Sequence, residues 1–180
     1  MSFAFEREMT PIVTDWLRSQ GLFVKEEVYT TAGVCDLVGC SINPEAERRR
    51  VRARKASAMI RKHLSRLGEL PPWLPIHDRL VLVELKLAKA AEVFRQAYGH
   101  HYLGESYAAM PLCRAERDAG KDRWRRYGVG LLGVTEQAVT VLVEPRQPES
   151  LNWYALVIAE RFWRDRKKLA REEASDGTSH

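Results

Sequence analysis

Glu84 and Lys86 stand in an otherwise apolar run, Leu80-Val-Leu-Val-Glu-Leu-Lys-Leu87. The run has the length and β-branched content of a strand. Side chains alternate along a strand, so the two charged groups share one face while Val81, Val83, Leu85 and Leu87 occupy the other. Stability is a weak reason for such a pair, because a buried ion pair returns little more than its desolvation cost. A metal site or a catalytic site uses both groups. Asp36 repeats the anomaly, an acid inside Gly33-Val-Cys-Asp-Leu-Val-Gly39 where apolar residues are expected. Neighbouring strands would bring Asp36 beside Glu84. Carboxylates held together repel unless a cation or a proton sits between them, and Mg²⁺ takes one or two carboxylates together with water and phosphate oxygens. A lysine two residues along can then orient or deprotonate a water, or steady the charge developing on a phosphate. Plainer readings compete: an edge strand with a solvated face for Glu84 and Lys86, and a hydrogen-bonded turn or bulge for Asp36.

The elements that must position these groups follow from periodicity. Met9, Ile12, Val13, Trp16 and Leu17 recur at helical spacing and stop at Ser19-Gln20-Gly21. Pro11 either opens this helix behind Thr10 or kinks a longer one. Strands are predicted over 22–29 and 33–41 with a tight turn at Thr30–Gly33, and then at Leu80. From Pro44 to Leu70, Ala53, Ala56, Ile60, Leu64 and Leu67 form the apolar stripe of an amphipathic helix, and Pro71-Pro72-Trp73-Leu74-Pro75 is a stiff return. A helix from Ala88 to about Ala109 ends at Pro111. Residues 114–126 are a charged, exposed connection. Strands at 127–134 and 138–144 flank a turn near Thr135-Glu136-Gln137, and a last helix over 151–173 carries Tyr154, Ile158, Phe162 and Leu169 at helical spacing. The expectation is a single α/β (α+β) domain over 1–174, a mixed sheet flanked by helices, with a basic helical insertion at 44–78 between the second and third strands. Residues 175–180 form a frayed tail.

A chain of 180 residues with 45% hydrophobic content suffices for one core. It has no apolar run of membrane-spanning length, and Met1-Ser-Phe-Ala-Phe-Glu-Arg-Glu lacks the order of a signal peptide, so a cytoplasmic protein without membrane contact is expected. Cys35, Cys40 and Cys113 form neither a paired framework nor a metal knuckle and read as reduced packing residues. The net charge of +5 is concentrated: residues 45–69 hold nine Lys or Arg against three Glu, and the remainder sums to −1. Arg48, Arg49, Arg52, Lys55, Arg61, Lys62 and Arg66 of that segment suit a nucleic acid, DNA before RNA, gripped through its backbone. A solvated charged face is the bland alternative.

An Asp interrupting one strand, then Glu-Leu-Lys in the next, then a helix, resembles the PD-(D/E)xK nuclease superfamily with its restriction-endonuclease-like fold. Asp36, Glu84 and Lys86 match the motif, with Cys35 where Pro commonly precedes the Asp. The resemblance implies Mg²⁺- or Mn²⁺-dependent hydrolysis of phosphodiester bonds. It places Asp36, Glu84 and the carbonyl of Leu85 around the ion and Lys86 near the attacking water. Some branches add a Glu on the first helix and a Gln after the Lys; Glu8 and Gln96 fall there, with Glu6 a rival of Glu8. Where some relatives place a Tyr four residues after that Gln, this chain has His100. Counting the basic helix as an insertion accounts for the long interval between Asp36 and Glu84.

The leading expectation is thus a metal-dependent nuclease, as endonuclease or exonuclease, with a homodimer suited to cutting two strands. The alternative is a catalytically inactive nucleic-acid-binding or assembly protein using the basic helix. His100-His101 invites a metal reading, but adjacent helical histidines diverge by about 100° and do not readily share an ion.

Overall fold

The computed structural model of the protein describes residues 3–45, 77–148 and 153–176. A 3₁₀ turn at Glu6–Glu8 leads into helix α1 (Thr10–Ser19). Strands β1 (Phe23–Thr30), β2 (Gly33–Ile42) and β3 (His77–Leu85) follow, then α2 (Ala90–His100) and β4 (Glu105–Pro111). The chain closes with α3 (Leu112–Ala119), α4 (Arg123–Tyr127), β5 (Gly130–Val134), β6 (Val139–Val143) and α5 (Trp153–Asp176). The six strands form one sheet in sequence order. The pairs β1–β2, β2–β3 and β5–β6 are antiparallel, and β3–β4 and β4–β5 are parallel. The expected mixed α/β sheet flanked by helices is present.

Each face of the sheet has its own apolar packing. On one, α1 buries Met9, Val13 and Leu17, four residues apart, against Val81, Val83 and Leu85 of β3. Pro11 falls in the first turn of α1, where its missing N–H costs nothing, and no kink arises. On the other face, α5 packs Ala155, Ile158, Ala159 and Phe162 against Cys40, Leu80 and Leu82, and Val93 and Ala97 of α2 meet Ala108, Met110 and Trp124. The expected stripe of α5 is displaced at its start, since Tyr154 is exposed. Among the described residues, no helix is long and apolar enough to cross a membrane.

Three expectations require correction. The helix predicted over Ala88–Ala109 stops at His100, and Glu105–Pro111 is a strand buried along its whole length. Its entry requires Gly104, because a Cβ there would lie 2.3 Å from the Leu80 carbonyl oxygen. The charged connection at 114–126 is largely helical, forming α3 and α4. The third strand begins at His77, inside the segment assigned to the insertion. Residues 46–76, with Arg48, Arg49, Arg52, Lys55, Arg61, Lys62 and Arg66, lie outside the described residues, as does the end of the tail, 177–180.

Candidate functional site

Two irregularities in the sheet create the site. The β2–β3 ladder runs from Ile42↔His77 to Leu37↔Val83 and goes no further, although β3 continues to Leu85. Opposite Asp36, the β1–β2 register skips Glu27, whose φ is +50°. At this gap the Asp36 carboxylate takes over from the main chain: Oδ2 accepts the Leu85 N–H at 2.7 Å. Asp36 is therefore bonded to the peptide lying between Glu84 and Lys86. The β1–β2 register is the same on either side of Asp36, so the expected bulge is not found there; the Glu27–Asp36 pair is missing without an inserted residue.

Glu84 is 2% exposed in a strand with neighbours on both sides, so the solvated edge strand does not apply. Its Oε1 lies 2.8 Å from Nε2 of His100, at the buried end of α2. The other imidazole nitrogen, Nδ1, lies 3.1 Å from the Thr30 hydroxyl at the end of β1. The series Thr30–His100–Glu84 thus ties the β1–β2 hairpin to the helix and to the acid. Cys35 completes a buried cluster: its sulfur, a Glu84 oxygen and a His100 nitrogen lie within 4.8 Å of one another. The thiol points to the Leu37 and Val83 carbonyls. Burial, then the charges of Glu84 and Asp36, push its pKa well up, so it stays protonated.

Lys86 follows the last residue of β3, and its ammonium donates to Glu6 Oε2 at 3.0 Å. Burial opposes its charge, but the Glu6 hydrogen bond and the charges of Glu6, Asp36 and Glu84 outweigh that, and its pKa is raised. Asp36 shifts upward as well. Desolvation is the main cause, the Leu85 amide opposes it, the Glu84 charge adds to it, Lys86 opposes, and Glu6 adds a little. The strand ends thus pair the Lys86 ammonium with Glu6 and leave the charges of Asp36 and Glu84 acting on it from further off.

The other two expected site residues are elsewhere. The Glu8 carboxylate accepts the Ala4 and Phe5 amides, at 2.7 and 3.2 Å, and caps the 3₁₀ turn, leaving its rival Glu6 to face Lys86. Gln96 is exposed, because the sheet-facing positions of α2 are Val93, Ala97 and His100. Four residues beyond Gln96, His100 makes the contact with Glu84. The sequence carried two signals for it: its position three after Ala97 on the apolar side of α2, and its place in the Gln-to-Tyr pattern.

The donor set suits a hard divalent ion in part. Asp36 and Glu84 each keep a second carboxylate oxygen beyond the bonds described above, and the mutual repulsion of Asp36, Glu84 and Glu6 is what such an ion relieves. The atoms gathered most tightly, however, are those of Cys35, Glu84 and His100 rather than those of Asp36 and Glu84.

No protein-family model matches the chain, and no curated protein matches it. Among solved structures it is similar to the SPO1766 protein of unknown function from Silicibacter pomeroyi, with a TM-score of 0.55 and 11% identity. The match covers 100% of this chain and 97% of that one. At this identity the likeness concerns the fold alone.

Proposed function

We propose that the protein is a metal-dependent nuclease of the PD-(D/E)xK type, hydrolysing phosphodiester bonds at the open end of β2–β3. The observation that carries this reading is the bond from Asp36 to the Leu85 amide, which joins the three motif residues across two strands that are distant in sequence. The order helix, three strands, helix, strand supports it, being similar to that of the superfamily the motif resembles. Asp36 and Glu84, with the Leu85 carbonyl, would hold Mg²⁺ or Mn²⁺. Bound there, the ion would polarise a phosphate and acidify a water. Lys86, kept protonated by Glu6, is suited to orienting water and steadying phosphate charge, and poorly suited to taking a proton. His100 is a positioning residue that holds Glu84, with Thr30 holding the imidazole in turn. The basic segment at 45–69 supplies sequence-independent affinity for the sugar-phosphate backbone.

The test is cleavage of linear, nicked, branched and single-stranded substrates by the full chain with Mg²⁺ or Mn²⁺, with and without EDTA. Lys86→Ala should lower the rate by about 100-fold or more while binding persists. If every substrate stays whole, the hydrolytic reading fails. One observation favours the second reading, a binding or assembly protein without catalysis: Glu84 is fully buried and already engaged by His100. That reading expects salt-sensitive binding indifferent to EDTA and to Lys86→Ala.

A further inference from the structure

While the inner side of α2 faces the sheet, its outer side carries a row of rings. Phe94, Tyr98 and His101 follow one another at intervals of four and three residues. Their planes are nearly parallel: Phe94 and Tyr98 are 6.1 Å apart at 9°, and Tyr98 and His101 are 4.3 Å apart at 9°. Tyr127, at the end of α4, meets Tyr98 edge-on at 5.3 Å and 73°. Tyr98, between Phe94 and His101, is 38% exposed, and Tyr127 is 43% exposed. Two guanidinium groups lie over these rings, Arg123, ion-paired with Asp118, at 5.3 Å from Phe94 and Arg126 at 5.7 Å from Tyr127. Helix α4 reads Arg123-Trp-Arg-Arg-Tyr127, with no acid among its five residues.

We infer that this surface binds single-stranded nucleic acid, a base stacking on Tyr127, which Tyr98 supports edge-on, and phosphates meeting Arg125 and Arg126 of α4. An exposed ring flanked by cations suits an unpaired strand, since every base has a π-face and every linkage a negative charge. An apolar protein partner would cover the rings at the cost of burying Arg126, for which no carboxylate partner exists among the described residues. A duplex keeps its bases stacked on each other and cannot use the rings. The surface shares α2 with the candidate site, the helix whose inner side places His100 on Glu84. As an account of which strand is cut, the inference rests on the proposed nuclease function; as an account of binding, it stands separately.

The experiment uses the full chain in EDTA, so that no cleavage intervenes, and labelled oligonucleotides of about 20 residues, a length that spans the usual single-strand site sizes. The probes are oligo-dT, oligo-U and a hairpin duplex, followed by anisotropy. The wild-type chain should bind the single strands. Tyr98→Ala with Tyr127→Ala should weaken that binding by roughly 10- to 100-fold and change duplex binding little, and the paired Phe substitutions should restore it. The dT and U arms decide between DNA and RNA. Absence of single-strand binding, or a loss equal on duplex and single strand, overturns the inference. A second measurement needs no variant: photocrosslinking of wild type to an iodouridine-containing strand should label peptides spanning 94–102 or 123–127, and labelling confined elsewhere overturns it. Cleavage without ring-dependent binding sinks this inference alone, and ring-dependent binding without cleavage sinks only the nuclease.

Discussion

His100→Ala is the most exacting test of how the site is built. The His100 and Glu84 side chains are 2% and 3% exposed, so removing either leaves its partner in the interior without its hydrogen bond. Truncating the imidazole strands the Glu84 carboxyl in the interior and takes away the Thr30 contact. Breaking one side of a buried pair costs about 3–5 kcal/mol, largely through the group left behind. For a chain of this length each kcal/mol moves the melting temperature by about 2–4 °C, which gives a fall of roughly 6–20 °C. If the pair is the cause, Glu84→Gln added to His100→Ala must recover part of that loss, because a neutral amide is cheaper to bury. A double-mutant cycle should then return a coupling of about 1–3 kcal/mol. Urea unfolding of the four proteins supplies the numbers. A His100→Ala variant within about 1 kcal/mol of wild type, or single losses that simply add, would refute the positioning role.

Two further predictions separate the residues at the strand ends. The raised pKa of Asp36 means that its folded form favours folding below the unfolded value of about 3.9 and forfeits that advantage as pH rises through the folded value. At neutral pH the charge therefore costs stability, and Asp36→Asn, which keeps an oxygen for the Leu85 amide, should be more stable by roughly 0.5–2 kcal/mol. That gain should shrink away towards pH 4, and Mg²⁺ should raise the melting temperature of wild type but not of the variant; a variant less stable at pH 7 contradicts the assignment. Glu6→Gln should lower the pKa of Lys86, seen as faster acylation of that amine at mildly alkaline pH, whereas Glu8→Gln should leave Lys86 unchanged and cost about 0.5–1 kcal/mol as a weakened cap. Identical labelling in both variants would show that Glu6 does not hold Lys86.

Much of the core was legible because α1, β2 and β3 advertise their inner faces by period. Met9, Val13 and Leu17 recur as a helix must, and Val81, Val83 and Leu85 alternate as a strand must. The polar interruptions Asp36, Glu84 and Lys86 stood out against that regularity. Strand β4 was hidden for the opposite reason. Glu105-Ser-Tyr-Ala-Ala-Met-Pro111 is buried on both faces, so nothing alternates, and Ala and Met favour a helix when judged locally. Its pairing with β3 and β5 overrides that preference. Glu8 and Gln96 were misplaced because a one-residue choice on a helix is a rotation of about 100°, which spacing read from a motif does not resolve. The role of Glu6 depends on the 3₁₀ turn ahead of α1, and that of His100 on where α2 ends. Neither detail is encoded in hydrophobic period.

The distribution of charge argues that binding and chemistry occupy different parts of this chain. At the end of β2–β3 three carboxyl side chains, Asp36, Glu84 and Glu6, accompany one ammonium, Lys86, so the set repels a phosphodiester approaching on its own. The excess of +6 lies instead between residues 45 and 69, and a smaller cationic group lies on α4 beside the rings of α2. On the proposed nuclease function, a substrate held by those surfaces would reach the acidic end through affinity gained elsewhere. A divalent ion at Asp36 and Glu84 would then serve substrate entry as well as hydrolysis, since it cancels the repulsion that the four side chains alone cannot.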